Sequence, residues 1–355
     1  MSDGEIGDEL TPELQEVLKT MLYWRTPEGQ RAQRRMEEIR PQWDELGGTL
    51  VAHANLAHIA LTDRELKASA AGTDPSMILV RPGSSAWREA DNNAFALVNP
   101  DNALVLDVLC SLVAGAIDHL FAVGVLMMTF APIRPTFSSA RVLFEAGART
   151  HTLAGDHLDT RLRVTRAANF RLEDLHQRKT DLTHALERTD VDGITELEQE
   201  MDRLTTLGDA DDLAPQTSKK GERQTYFLPL HSAEDAANES LLPAFGRDTW
   251  RTLSSAVHLQ ERGAYQSFAL NKIAVVNDRI RRAYAVGELR TAFFVSSQGL
   301  RSACEYLGAD TATLLVHFHQ SWPLWERGSM SEAGADLNRA ALAQQDSAHS
   351  EGLGS

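Results

Sequence analysis

The sequence has little of what extracellular proteins and proteins that coat nucleic acid require. Only two cysteines, Cys110 and Cys304, occur among 355 residues, so a disulfide framework is not expected. The first residues, MSDGEIGDELTPE, have neither the basic start nor the apolar core of a signal peptide. Acidic side chains outnumber basic ones, 50 to 35, and the net charge of −15 disfavours a non-specific phosphate-binding surface. We therefore expect an acidic cytoplasmic protein.

Long uncharged apolar runs and common catalytic motifs are also absent. The longest apolar stretch, residues 103–131, is interrupted by Asp107 and by Asp118-His119, which leaves pieces shorter than the roughly 20 residues of a membrane span. We therefore predict a buried core helix there and no membrane partner. The sequence shows no Gly-rich phosphate loop, no Cys/His zinc pattern and no G-x-S-x-G motif. None of its patterns implies a cofactor.

The sequence does show apolar residues at a helical period. Strand-like alternation is almost absent, whereas the 3.6-residue apolar period recurs along the chain, which predicts an all-α fold. The triplets at Thr11 and Thr26, both Thr-Pro-Glu, predict two helix starts. Gly47-Gly48 is expected to end the second of these helices, with a further helix from Leu50.

The centre of the chain predicts one strongly apolar helix followed by a second. The first runs from Asn102 to Phe130 and is expected to end at Pro132 and Pro135, whose rings cannot continue a helix. Ser138 or Ser139 would then cap the next helix, through Leu153.

The predicted organisation is a helical bundle with an N-terminal helical extension and a projecting antiparallel hairpin. Residues 1–84 form the N-terminal helical region and residues 85–330 the helical core domain. Within that domain, residues 172–207 form the hairpin and residues 208–224 a linker with an acidic and a basic half. Residues 331–355 form a flexible polar tail.

One candidate polar cluster begins with Arg141, Glu145 and Arg149, which share one helical face at i,i+4 spacings. Two interpretations are open: an exposed salt-bridge ladder, or a buried polar network that also includes Asp118 and His119 of the preceding helix. The second is considered because the flanking residues are apolar and buried charge requires partners.

A second candidate pair is Arg251 and His258, seven residues apart and therefore on one side of a helix. Histidine can act as acid or base, and arginine can hold an anion. The segment from Arg171 to His176 contains a second arginine–histidine pair of this kind. The alternative for His258 is a packed side chain that donates to a backbone carbonyl.

Two further sets of side chains are weaker candidates. A metal-dependent centre would draw on an E-x-x-H unit and scattered carboxylates, namely Glu145, Glu173, His176, His258 and Glu261. Positive charge gathers only at Arg279, Arg281, Arg282 and Arg290, which is the place where RNA would bind; a solvated helix surface is the alternative.

The segments RVLFE, RLRVTRAANFRL and GRDTWRTLSSAVH, in that order, resemble a group of uncharacterised bacterial all-helical proteins that are distantly similar to HEPN domains. The resemblance covers residues 102–268. Arg141 and Glu145 match its first motif, and Trp250, Leu253, Ser254 and His258 match its second. Thr252 departs from the ribonucleolytic pattern, in which a small polar residue such as Asn or Asp usually follows the arginine.

This resemblance implies a metal-independent ribonuclease or a defence or toxin-type protein that works as a homodimer. His258 would be the acid/base group, Arg251 would hold phosphate, and Arg141 with Glu145 would orient them. The first alternative is a non-catalytic binding or assembly protein, in which these four residues lock the core and the hairpin supplies the partner surface. The second alternative is the metal-dependent enzyme.

Overall fold

The structure is a computed structural model, and it shows an all-α bundle, as predicted. It describes residues 26–62, 80–91, 104–129, 133–155, 158–185, 191–211, 215–217, 224–226, 241, 246–257 and 274–329. The helices in these residues are α1 (Pro27–Thr62), α2 (Ser85–Asp91), α3 (Leu104–Met128), α4 (Ile133–Ala154), α5 (Thr160–Ala185), α6 (Val191–Ala210), α7 (Gly246–Val257), α8 (Ala274–Leu307) and α9 (Ala312–Ser329). Two three-residue strands, β1 (Pro215–Thr217) and β2 (Gln224–Tyr226), pair antiparallel.

The centre of the bundle is α4, which lies between α3 and α8. Helix α1 packs on α3, and α9 closes the bundle by packing against both α8 and α1. The largest fully buried side chains include Trp43, Phe144, Phe293 and Trp325, which come from four different helices. These helices therefore share one hydrophobic core.

Helix α1 begins as predicted, directly after Thr26, but the predicted break at Gly47-Gly48 is wrong because the helix continues to Thr62. A Cβ atom added to Gly47 would lie 2.6 Å from the carbonyl oxygen of Gly124, and one on Gly124 would lie 2.7 Å from that of Gly47. These two glycines therefore allow the backbones of α1 and α3 to touch. The helix predicted from Thr11 lies outside the described residues.

The predicted central apolar helix is confirmed as α3, but α4 begins earlier than predicted. It starts at Ile133, so Pro135 lies in its first turn and neither Ser138 nor Ser139 is its cap. Proline is tolerated there because the first-turn N–H groups have no partner within the helix. Later in α4, a Cβ atom on Gly147 would lie 2.7 Å from the backbone nitrogen of Ser296, so α4 and α8 also pack backbone to backbone.

Helix α3 is the one described helix whose length and composition would allow it to cross a membrane. Its most apolar stretch of 18 residues is 39% buried inside the bundle. The buried positions face α1 and α4, whereas Phe121, Val125 and Met128 are exposed. Length and apolar composition are weak indications, since the core helix of a soluble protein has both.

Helices α5 and α6 form the predicted antiparallel hairpin. Lys179 of α5 bonds Glu198 of α6 at 2.6 Å, so the two helices pack side by side. Helix α6 packs principally against α5, as expected of a hairpin that projects from the bundle. Part of the predicted linker is structured, because α6 extends to Ala210 and β1 lies within the linker.

Candidate functional site

The predicted residues Arg141 and Glu145 lie side by side on α4 and connect it to α7. The Arg141 Nε donates to Glu145 Oε1 at 3.0 Å, and the Trp250 indole Nε1 donates to the same oxygen at 2.9 Å. The Arg141 guanidinium also lies 5.5 Å from the centre of the Trp250 ring. We call these three residues the α4–α7 clamp. Its two charged side chains are 21% and 25% exposed, so it is neither a fully buried network nor a fully solvated ladder.

The sequence context explains why Trp250 faces α4. Helix α7 is strongly amphipathic: Thr249, Thr252, Leu253 and Ser254 are buried, whereas Arg251 is exposed. Trp250 therefore makes the contact between α4 and α7, the helices that carry the two motifs of the resemblance. The neighbouring Arg251 points to the surface. His258 lies outside the described residues, so its proposed acid/base role stays a prediction.

The expected extension of the cluster to Asp118, His119 and Arg149 does not form. Asp118 is exposed, so it is not the buried charge that the apolar context indicated. His119 is half-buried, and burial lowers its pKa. The Arg149 guanidinium lies 5.5 Å from the centre of the Phe170 ring, and its buried Nε has no hydrogen-bond partner in the described residues. Among the described residues, the polar cluster thus stops one turn before Arg149.

The metal and RNA candidates are only partly described. No group of three or more potential metal ligands comes together within the described stretches. Glu173 and His176 are half-buried on α5, and Glu261 lies outside those stretches. Arg279, Arg281 and Arg282 belong to α8, but their side chains are also outside what the structure describes.

A buried ion pair that sequence reasoning missed holds α2, α5 and α8 together. Arg163 forms a salt bridge with Glu89 and donates to the carbonyl oxygens of Leu153 and Gly155 at 2.9 and 3.0 Å. Tyr306 donates to the other Glu89 oxygen at 2.8 Å, and its ring lies under the Arg163 guanidinium. Burial, together with the nearby Glu89 carboxylate, raises the pKa of Tyr306. Because its polar groups satisfy one another, we assign this cluster a structural role.

A second missed pair joins two histidines across α1 and α9. The Nδ1 atoms of His53 and His317 are 3.2 Å apart, and the His53 ring packs edge-on against Phe293. His53 is 1% exposed, and burial, with a smaller contribution from His317, lowers its pKa to about 3. Both rings are therefore neutral at pH 7. One Nδ1–H must then donate to the other Nδ1, and a single sequence gives no sign of this pairing.

The third missed feature is a cavity of about 390 Å³ between α7, α8 and α9. Polar and aromatic side chains from all three helices line it, namely Asp248, Thr249, Glu288, Arg290, Thr291, Phe294 and Trp322, together with Gly287. Helix α7 contributes Asp248 and Thr249, which directly precede the tryptophan of the α4–α7 clamp. The clamp therefore fixes the helix that forms one wall of the cavity.

The lining explains why this space stays open. Gly287 has no side chain, and a Cβ atom added to it would meet nothing within 4 Å. The Trp322 and Phe294 rings lie 5.8 Å apart and close the apolar side of the space. Volumes of about 300 to 1,000 Å³ are typical of sites that bind small molecules. The helical period gives no indication of such a cavity, because it depends on how three separate helices meet.

Comparisons with known proteins found no relative of this chain. No protein-family model, no curated protein and no solved structure matches it significantly. The resemblance to HEPN-like proteins therefore stays a prediction, and function must be argued from the site itself.

Proposed function

We propose that this chain is a non-catalytic binding protein whose ligand site is the cavity between α7, α8 and α9. The observation that carries the proposal is the cavity itself: about 390 Å³, with an aromatic wall from α8 and α9 and polar groups from α7 and α8. Apolar walls with a few placed polar groups are the usual composition of small-molecule sites.

The contacts of the α4–α7 clamp suit a structural role. Glu145 Oε1 already accepts hydrogen bonds from both Arg141 and Trp250, which suits a group that holds two helices together. The described cavity lining offers two carboxylates, two hydroxyls and one guanidinium, but no histidine or cysteine.

The binding test uses a cavity-filling variant. In Gly287→Phe the new ring would enter the open space, and Gly287→Ala is the matched control because its methyl group meets nothing. Three indoles of similar size serve as probes, namely tryptamine, 3-ethylindole and indole-3-propionate, with calorimetric titration as the measurement. We expect at least one to bind wild type and Gly287→Ala with 1:1 stoichiometry and to lose at least tenfold in affinity with Gly287→Phe. If none binds, or if all bind Gly287→Phe equally well, the proposal is wrong.

The ribonuclease prediction is tested on the clamp. We expect Glu145→Gln to lower the melting temperature, because the neutral amide binds Arg141 less strongly, while incubation with RNA leaves the RNA intact for wild type and variant alike. Arg251→Gln removes the side chain to which the ribonuclease prediction assigns phosphate binding. RNA cleavage by the wild type that either substitution abolishes without a change in melting temperature would instead make the chain a ribonuclease.

A cytoplasmic location is part of the same proposal. Cys110 and Cys304 are both free thiols, which fits a reducing compartment. Burial raises the pKa of Cys304 to about 12, so this thiol is not reactive at neutral pH.

A further inference from the structure

We infer that the ligand of this cavity is a small organic cation: an amine attached to an aromatic or apolar body. The inference rests on the proposed function, since it names the chemistry of a ligand for the same site. Three properties of the lining support it: its charge, its aromatic surface and its hydrogen-bond acceptors.

The charge of the lining favours a cation. Asp248 on α7 and Glu288 on α8 provide two carboxylates, whereas Arg290 provides one guanidinium. That guanidinium lies over the Trp322 ring, 5.6 Å from its centre, so part of its charge is already matched by the indole face. The formal charge of the lining is −1 and that of the whole chain is −15. Both of these negative net charges attract a cation and repel an anion.

The aromatic surface suits the body of such a ligand. Phe294 and Trp322 meet at an angle of 59° and form an apolar corner. Phe318 packs against Trp322 with ring centres 5.2 Å apart, which supports the corner from the core side. A flat apolar group placed in this corner would lose water without leaving a polar group unsatisfied.

The remaining polar groups are mainly acceptors. Thr291 Oγ1 already donates its proton to the carbonyl oxygen of Gly287 at 3.1 Å, so its oxygen is left to accept. The carboxylates of Asp248 and Glu288 can only accept when they are ionised. An ammonium group donates three hydrogen bonds and accepts none, so it complements these acceptors, whereas a carboxylate ligand could be met only by Arg290.

The test compares the affinities of the three indole probes, which differ mainly in charge. Tryptamine is a cation at pH 7, 3-ethylindole is neutral and indole-3-propionate is an anion. We expect tryptamine to bind at least tenfold more tightly than 3-ethylindole, and indole-3-propionate to bind most weakly. Glu288→Gln and Asp248→Asn should each weaken tryptamine binding about fivefold or more and leave 3-ethylindole unchanged. Glu38→Gln, an exposed carboxylate on α1, is the matched control and should change neither affinity.

The outcomes separate this inference from the proposed function. If 3-ethylindole or indole-3-propionate binds as tightly as tryptamine, and Gly287→Phe abolishes that binding, the cavity is a ligand site but the cation preference is wrong. If Glu288→Gln and Asp248→Asn both bind tryptamine like the wild type, the preference is also wrong. If no probe binds the wild type, both the proposed function and the inference fail.

Discussion

Acidification should destabilise this bundle, because His53 is buried in its neutral form between α1, α8 and α9. The side chain is 1% exposed, and its pKa of about 3 lies far below the 6.5 of an unfolded chain. Between these two values the unfolded chain binds a proton at this position and the folded chain does not. Stability is therefore fully present above pH 6.5 and falls as the pH drops towards 3.

The size of the effect follows from the two pKa values. Each pH unit between them costs about 1.4 kcal/mol for one group, so lowering the pH from 7 to 5 should cost about 2 kcal/mol through His53 alone. The half-buried His317, whose pKa burial also lowers, contributes in the same direction. For a domain with a typical stability of about 5 to 15 kcal/mol, such a loss is large enough to measure.

The assay is urea unfolding at pH 7, 6 and 5, with wild type compared with His53→Leu. Leucine cannot titrate, so the variant should lose about 2 kcal/mol less between pH 7 and pH 5 than the wild type does. His319→Leu is the control, because it replaces an exposed histidine on the same α9 helix. Equal pH dependence in wild type and His53→Leu would refute the reasoning, because His53 would then titrate alike in the folded and unfolded chains.

Four further substitutions, one of them a control, test the packing, each by urea unfolding at pH 7. Gly47→Ala should destabilise by about 1 to 3 kcal/mol because its methyl group meets the α3 backbone, whereas Gly48→Ala should be neutral or stabilise by up to about 1 kcal/mol; equal effects would contradict the close approach. Arg163→Leu should cost about 3 to 5 kcal/mol by leaving the Glu89 charge buried without its partner, and a loss below 1 kcal/mol would exclude that role. Trp250→Phe should cost about 1.5 to 3 kcal/mol, the value of one hydrogen bond to a charged group, here the Glu145 carboxylate; no loss would show that the clamp does not hold α7.

The helical fold could be predicted from the sequence because each helix carries its own apolar period. Helix α3 and the start of α1 after Thr26 were predictable for this reason. The break expected at Gly47-Gly48 was wrong because a glycine pair that ends a helix and a glycine that admits a neighbouring helix look alike in one sequence. Which meaning applies depends on Gly124, which lies 77 residues further along the chain.

The candidate site was less predictable than the fold. Arg141 and Glu145 could be paired from their i,i+4 spacing, since both lie on one helix. Their contact with Trp250, the His53–His317 pair and the cavity at Gly287 all depend on contacts between helices that are distant in sequence. Residue types and spacings give no information on such contacts, so the position of Arg251 at the surface could not be foreseen either.

The two places where helix backbones touch also restrict how the bundle can move. If α4 slid along α8 by one turn, either Leu143 or His151 would take the position of Gly147, and neither side chain fits against the backbone of Ser296. Ratchet-like shifts of one turn, which some switching proteins use, are therefore blocked between these helices. Helix α8, which carries most of the cavity lining, is thereby held in register with α4.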